Sequence, residues 1–450
     1  MSKRTDIRLL EVTTTTERYA YRAPMKFGGR VVSGVVLLHV AARVETRDGR
    51  RGEGRGSMPM GNDWAWPSQR VLGESALEAM TELGRCTAHA ANEYREMGHP
   101  LEITTDLAES YQTAADEIIE AAGIEEPMPR LAQLVATSPL EAAIHDAYGK
   151  ALGVNSYNLL GKEYTNRDIS VDLTDEFAGE YLDQYTLRSP KPSMPLYHLI
   201  GALDPLTEAE IDERIGDGLP ETLPEWIRAD GLTHLKIKLN GDNPGWDLER
   251  VLSIEQVAAE AQAARGCTVW YYSADFNERC PNEGYVLDFL SHLGERSPEA
   301  FGRLQYVEQP THRDLRANAE CRMHEAAGIK PIVIDESLVD YESLMLSREL
   351  GYSGVALKAC KGQSGALLMG AAAQKYGMFL CVQDLTCPGS SFLHSASLAA
   401  RVPTVAAVEG NARQYCPAAN RGWAERFPSM FEVSDGTLGT AVLDGPGLGF

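Results

Sequence analysis

A chain of 450 residues, 44% of them hydrophobic, is long enough for more than one domain and for a core that needs no disulfide or metal staple. Its 42 Lys and Arg stand against 64 Asp and Glu, a formal net charge of -22, which argues against nucleic acid as a partner. No stretch approaches the roughly 20 apolar residues of a membrane helix, MSKRTDIRLLEV lacks a signal peptide's apolar region, and the eight cysteines include no CxxC pair; a cytoplasmic protein with no membrane partner is expected. The close spacing of Cys381 and Cys387 is poor evidence for a metal or redox site.

From the N-terminus, VVSGVVLLHVAARVETRDGRRGEG reads as two strands around the tight-turn pair Asp48-Gly49. The nearby glycines form neither GxGxxG nor a phosphate-binding P-loop. Between Gly73 and Ala122 the pattern turns helical. SPLEAAIHDAYGKALG follows as a further helix, with Ser138 as its cap, Pro139 in its first turn, and Leu140, Ile144, Ala147 and Ala151 in one stripe. Residues 162 to 192 are polar and irregular, and the prolines of RSPKPSMP mark a boundary.

Beyond that boundary short apolar strands alternate with amphipathic helices: SMPLYHLIG, HLKIKL, CTVWYYSADFN, LQYVEQP, PIVIDES, YSGVALKACKG and MFLCVQ are the strand candidates. This rhythm predicts repeated βαβ units. Without a dinucleotide loop, a (β/α)-barrel is favoured over an open α/β sheet.

The strand candidates from HLKIKL to YSGVALKACKG end in ionisable groups. Lys236 and Lys238 share one strand, Asp275 and Asn277 close the next, Glu308 the third, Asp335 and Glu336 the fourth, and Lys358 the fifth. The C-terminal ends of barrel strands surround one mouth, so separation in sequence becomes proximity in space. Three converging carboxylates repel one another unless a cation holds them, and all-oxygen ligation suits a hard divalent ion, Mg²⁺ or alternatively Mn²⁺. For any single one of them a helix cap or salt bridge is the ordinary role. The lysines flank the set, and an amine beside a metal and another amine is expected to have a lowered pKa and to accept a proton near neutral pH. Lys238 could then take a proton α to a substrate carboxylate while Lys236 neutralises the enediolate oxygen.

LKIKLNG, YSADFNE, YVEQP, IDES and ALKACKGQSG, in this order, resemble the barrel motifs of the enolase superfamily, and most closely those of the muconate lactonizing enzyme subgroup of the mandelate racemase/muconate lactonizing enzyme family. YRAPMKFGG resembles that family's substrate-capping loop, and AAIHDAYGKALGVNSYNLLGK the segment joining cap to barrel. The resemblance implies a modified (β/α)₇β TIM-type barrel with an α+β N-terminal capping domain. The expected division is residues 1–190 for the cap, with a helical insertion at about 73–122, 191–415 for the barrel, and 416–450 for a C-terminal segment completing the cap. It further implies Mg²⁺ on Asp275, Glu308 and Asp335, Lys238 and Lys358 as acid and base on opposite faces of the substrate, and Lys236 as an electrostatic aid. Asn277, Glu336, Asp384 and Glu409 are expected around these or against the substrate. A histidine base is not visible, since His394 in SSFLHSA reads as helical.

The departures bear on the reaction. AAVEGNARQY carries Glu409 and Asn411 where dipeptide epimerases are expected to have an Asp-x-Asp pair, so Glu409 either holds a substrate ammonium or makes a salt bridge. Trp64 and Trp66 in GSMPMGNDWAWPS read as a lid over the mouth or as an apolar anchor between domains or subunits. The expected activity is a racemase, epimerase or cycloisomerase acting on a small carboxylate, in a homo-oligomer. The alternative is a lyase expelling a β-leaving group from the same enediolate, and a barrel kept only for packing or partner binding would leave the charged set unexplained.

Overall fold

The computed structural model describes residues 2–27 and 30–450. Three antiparallel strands, β1 (Ile7–Phe27), β2 (Arg30–Thr46) and β3 (Arg51–Pro59), pair in the order β1-β2-β3. The β2–β3 hairpin turns at Asp48-Gly49 as expected, and Gly49 adopts φ +90° there, a conformation that costs glycine nothing. β1 lacks the apolar alternation that would betray it, because it is an edge strand with much of its length exposed.

The helix Arg130–Leu152 lies across this sheet. It starts eight residues before the expected Ser138 cap, and Pro139 sits in its interior. A proline there leaves the carbonyl four residues back without a donor; the Ser138 hydroxyl donates to that Val135 oxygen at 2.9 Å. Gly52, Gly54 and Gly56 occupy alternate positions of β3, and a Cβ on them would stand 2.3, 2.1 and 1.9 Å from backbone atoms of this helix. The glycine repeat is a contact surface that lets helix and sheet backbones touch. Shorter helices at Gly73–Ala91, Pro100–Ala108 and Tyr111–Ala121 fill the region expected to be helical.

Eight parallel strands follow: β4 (Met194–Ile200), β5 (His234–Lys238), β6 (Tyr271–Asp275), β7 (Leu304–Glu308), β8 (Ile332–Ile334), β9 (Gly354–Leu357), β10 (Phe379–Val382) and β11 (Val408–Glu409). They pair in sequence order and β11 closes on β4, making a barrel ringed by helices. A short β12 (Thr437–Leu438) adds antiparallel to β4. The open-sheet alternative is thereby excluded, and the architecture is the expected capped TIM-type barrel. Among the described residues no helix is long and apolar enough to cross a membrane. All eight cysteines are free thiols.

Candidate active site

The parallel register decides which side chains meet. Lys238 lies beside Asp275, and Asp275 beside Glu308, across β5, β6 and β7; neighbours in register point the same way. Around the ring, residues two apart fall on the same face. Tyr306, Val333, Ala356, Cys381 and Ala407 join Tyr197 in an apolar layer inside the barrel. Two residues further along the chain stand Glu308, Asp335, Lys358, Gln383 and Glu409, all buried, and these form the mouth.

The Lys236 ammonium donates to Glu308 Oε1 at 2.8 Å and Glu409 Oε2 at 3.0 Å and stands 3.1 Å from Asp275 Oδ2. Lys238 Nζ reaches Asp275 Oδ2 at 2.5 Å. Across the mouth, Lys358 Nζ lies 2.8 Å from Asp335 Oδ2 and Lys361 Nζ 3.1 Å from Asp335 Oδ1. Gln383 donates to Glu308. The backbone is strained at this rim: four of the five described non-glycine residues with positive φ, Asn277, Glu278, Gln309 and Thr386, stand just beyond barrel strands. Gln309 uses its strained position to present Oε1 to the Asp335 N–H at 2.8 Å.

Set by the protein's own groups alone, the lysine pKa values run opposite to the lowering expected beside a metal. Burial pushes the Lys236 ammonium down, but Glu308, Glu409 and Asp275 reverse it and hold its pKa well above the ordinary value. Lys358 is likewise depressed by burial and raised on balance by Asp335. At these two amines the touching carboxylates outweigh repulsion from the neighbouring amine. Burial pushes Glu308 well up, aided by Asp275 and Asp335, whereas Lys238 and Lys236 overcome burial to keep Asp275 low.

Asn277 extends its backbone N–H to Asp275 Oδ1 at 2.9 Å and its amide to Glu336 Oε1 at 3.4 Å. Burial, with Asp335 nearby, raises Glu336 to about 7, and burial with Glu409 raises Asp384 to about 7. Asp384 accepts the N–H groups of Thr386 and Cys387 at 3.2 and 3.1 Å. Glu409 closes β11 and is bound by Lys236 and by the Asn411 amide at 3.0 Å. Trp64 is buried at the mouth, its indole N–H on Glu336 Oε1 at 2.9 Å and its ring 4.3 Å from Lys358 Nζ. Trp66 turns instead to Glu126 within the cap, at 2.8 Å. From the loop resembling the capping loop, Met25 reaches the mouth; Gly28 and Gly29 of that loop lie outside the described residues. The cavity left between Trp64, Met25, Leu385 and the lysines is about 40 Å³. His394 is helical, as expected, and pairs with Gln363 Oε1 at 2.7 Å.

Lys361 and Gln383 were not among the expected residues. Lys361 follows Lys358 by three, and the intervening Ala359–Lys361 segment is a 3₁₀ turn, whose period of three returns the side chain to the same side. Gln383 ends its strand as the charged residues end theirs, and a search for ionisable groups alone passes over it.

The donor set suits a hard divalent cation in kind and charge. Asp275, Glu308, Asp335, Glu336, Asp384 and Glu409 are six buried carboxyls facing four lysines, a formal excess of two negative charges. Three buried acceptor atoms at the mouth, Glu336 Oε2, Gln383 Oε1 and Asn411 Oδ1, have no hydrogen-bond donor among the described residues, and orphan acceptors at one place are a deficit of positive charge. Each carboxylate of the trio is nonetheless engaged by lysine, and no three or more His, Cys, Asp and Glu side chains among the described residues are grouped as a ready-made metal cage.

A family profile described as "Enolase C-terminal domain-like" matches residues 219–450, more than half of the chain. The chain belongs to this family. It is a member of the enolase superfamily, and its fold is that of several solved relatives. The dipeptide epimerase of Enterococcus faecalis V583, complexed with Mg and L-Leu-L-Tyr, aligns with TM-score 0.60 and 16% identity over 98% of this chain and 99% of that one. The L-Ala-D/L-Glu epimerase of Bacillus subtilis gives TM-score 0.61 and 16% identity over 98% of both chains. Muconate lactonizing enzyme from Pseudomonas fluorescens, complexed with muconolactone, gives 0.58 and 20% over 98% and 96%. No curated protein sequence matches.

Proposed function

We propose that this enolase-superfamily protein removes the proton α to the carboxylate of a small substrate and returns a proton to the resulting enediolate, as a racemase, epimerase or cycloisomerase of the muconate lactonizing enzyme subgroup. One observation carries the reading. β5 and β9 are four strands apart in a ring of eight, so Lys238 and Lys358 face each other across the mouth, with Asp275, Glu308 and Asp335 on the arc between them. A planar enediolate held by that arc presents one face to each lysine.

Asp275, Glu308 and Asp335 would hold Mg²⁺, and when bound the ion supplies fixed positive charge for a substrate carboxylate. Lys238 takes or returns the proton on its face and Lys358 on the other. Lys236, locked among three carboxylates, offers a fixed charge that need not reorganise as the enediolate forms. Asn277 and Gln309 hold Asp275 and Asp335 in place. Trp64, over Lys358, keeps water from that side. Similar structures named as epimerases and as a lactonizing enzyme support this class over a redox or nucleotide role.

The test is a panel of amino-acid derivatives, dipeptides, sugar acids and cyclic acids with Mg²⁺ in deuterated water, followed by NMR. Deuterium uptake at the carbon α to a carboxylate is expected. Loss of water or of another β-substituent from every active compound would move the reading to a lyase, and turnover confined to non-carboxylates would overturn it.

A further inference from the structure

A second cavity, about 220 Å³, lies behind the mouth, between the cap helices and the barrel helix Gln363–Lys375. Lys358 and Lys361 form part of its wall, so it backs directly onto one candidate catalytic lysine, Lys358, and its neighbour. An engineered apolar cavity of about 150 Å³ admits benzene. This one has room for a ring and a short chain.

Its polar groups are unevenly satisfied. Lys358 and Lys361 are committed to Asp335, and Asp172 to Arg167 at 2.9 Å. Glu141, only 6% exposed, accepts the Ser364 N–H at 3.1 Å on Oε2, and no other hydrogen bond or ion pair among the described residues reaches its carboxyl. Arg130, also on the wall, hydrogen-bonds Gln133 rather than Glu141. Tyr111 is 1% exposed and its hydroxyl makes no hydrogen bond among the described residues, the nearby Thr137 hydroxyl donating instead to the Gln133 carbonyl at 2.9 Å. A buried hydroxyl without a partner beside a carboxyl with a single hydrogen bond, in a cavity walled by Leu134, Leu338 and Met369 as well as Thr104, Thr105 and Tyr341, is costly unless something satisfies it.

We propose that this cavity is a ligand site for a small primary organic ammonium with an apolar body of about one aromatic ring, its nitrogen on Glu141 and its ring among the aliphatic wall. A cation suits the site because none is in contact with the buried carboxyl: burial lifts Glu141 to about 7, and the Ser364 N–H and the more distant Arg130 offset it only in part, so a ligand cation restores its charged form. Glu141 also anchors the start of the helix that follows Lys361 through the Ser364 N–H, so an occupant rests against the rear of the lysine wall.

Titration calorimetry with 2-phenylethylamine at about pH 8, where Glu141 is largely ionised, tests the site, with 2-phenylethanol as the uncharged analogue. Saturable binding to the wild type is expected, weakened about 10-fold or more in Glu141→Gln and for the alcohol, and lost when Ala108→Phe fills the cavity. Equal affinity in wild type and both variants, or no binding at millimolar amine, would overturn the proposal. Neither substrate nor divalent cation is needed, so this outcome is separate from that of the catalytic reading, and Ala108→Phe preserves the test if Glu141→Gln does not fold.

Discussion

The same strands build two layers of opposite character, two residues apart. Tyr306, Val333, Ala356, Cys381 and Ala407 fill the barrel with apolar atoms; Glu308, Asp335, Lys358, Gln383 and Glu409 line its mouth with charge and amide. Both layers are buried, so burial does not separate structure from chemistry here. What separates them is how their interactions are satisfied. The lower layer is held mainly by contact, with two long hydrogen bonds from Gln383 to the Tyr306 hydroxyl and the Cys381 sulfur, while the upper pairs four lysines with four of its six carboxyls and still leaves Glu336 Oε2, Gln383 Oε1 and Asn411 Oδ1 without donors among the described residues. A fold selected for stability alone would fill the upper layer as it fills the lower.

The sharpest way to break this comparison is at the upper layer. Lys238→Ala and Lys358→Ala are each expected to slow proton exchange by about 10²- to 10⁴-fold, each for one enantiomer of a substrate. Lys236→Ala should slow both together, because charge develops on the enediolate whichever proton leaves. Deuterium exchange followed by NMR distinguishes these, and loss for the same enantiomer in both single variants would contradict the opposite-face placement.

The lower layer should respond in stability instead. Tyr306, fully buried, is expected to cost about 3–5 kcal/mol on replacement by alanine, in line with other large aromatic deletions, while the folded protein keeps its affinity for divalent cation. Urea unfolding measures the first and calorimetry the second. An unchanged stability would mean that the lower layer is not the packed core described.

A smaller effect comes from His394, beside neither layer's charges. Burial lowers its pKa to about 4, below the roughly 6.5 of an unfolded histidine. The unfolded chain therefore takes the proton first, and the stability present above about pH 6.5 is lost as pH falls toward 4. Between about pH 7 and pH 5 this linkage amounts to about 2 kcal/mol. Chemical denaturation at both pH values should show His394→Gln losing less than the wild type by that amount; parallel losses would show the imidazole is not held neutral.

Much of the upper layer was legible because strand ends in a parallel barrel converge, so one ionisable residue after each apolar run locates the mouth without any knowledge of the helices between. Lys236, Lys238, Asp275, Glu308, Asp335 and Lys358 emerge that way, and the structure brings them together. Lys361 was hidden by a change of period from strand to 3₁₀ turn, and Gln383 by its lack of charge. In the cap, β1 was hidden by its solvent-facing polar residues. The helix start was misplaced because Ser138-Pro139 has the form of a cap, and only the long-range contact with the β3 glycines shows why the helix continues through it. How the protein's own groups move the lysine pKa values was hidden for a related reason: spacing shows which amines are neighbours but not how many carboxylates each one touches.

The central claim is that the upper layer is built around a divalent cation. Titration calorimetry of the purified protein with Mg²⁺ is expected to show about one ion bound per chain, with affinity much reduced in Asp275→Asn and in Glu308→Gln and with thermal stability rising with Mg²⁺ concentration in the wild type alone. Affinity unchanged in both variants, or no binding to the wild type, would contradict it.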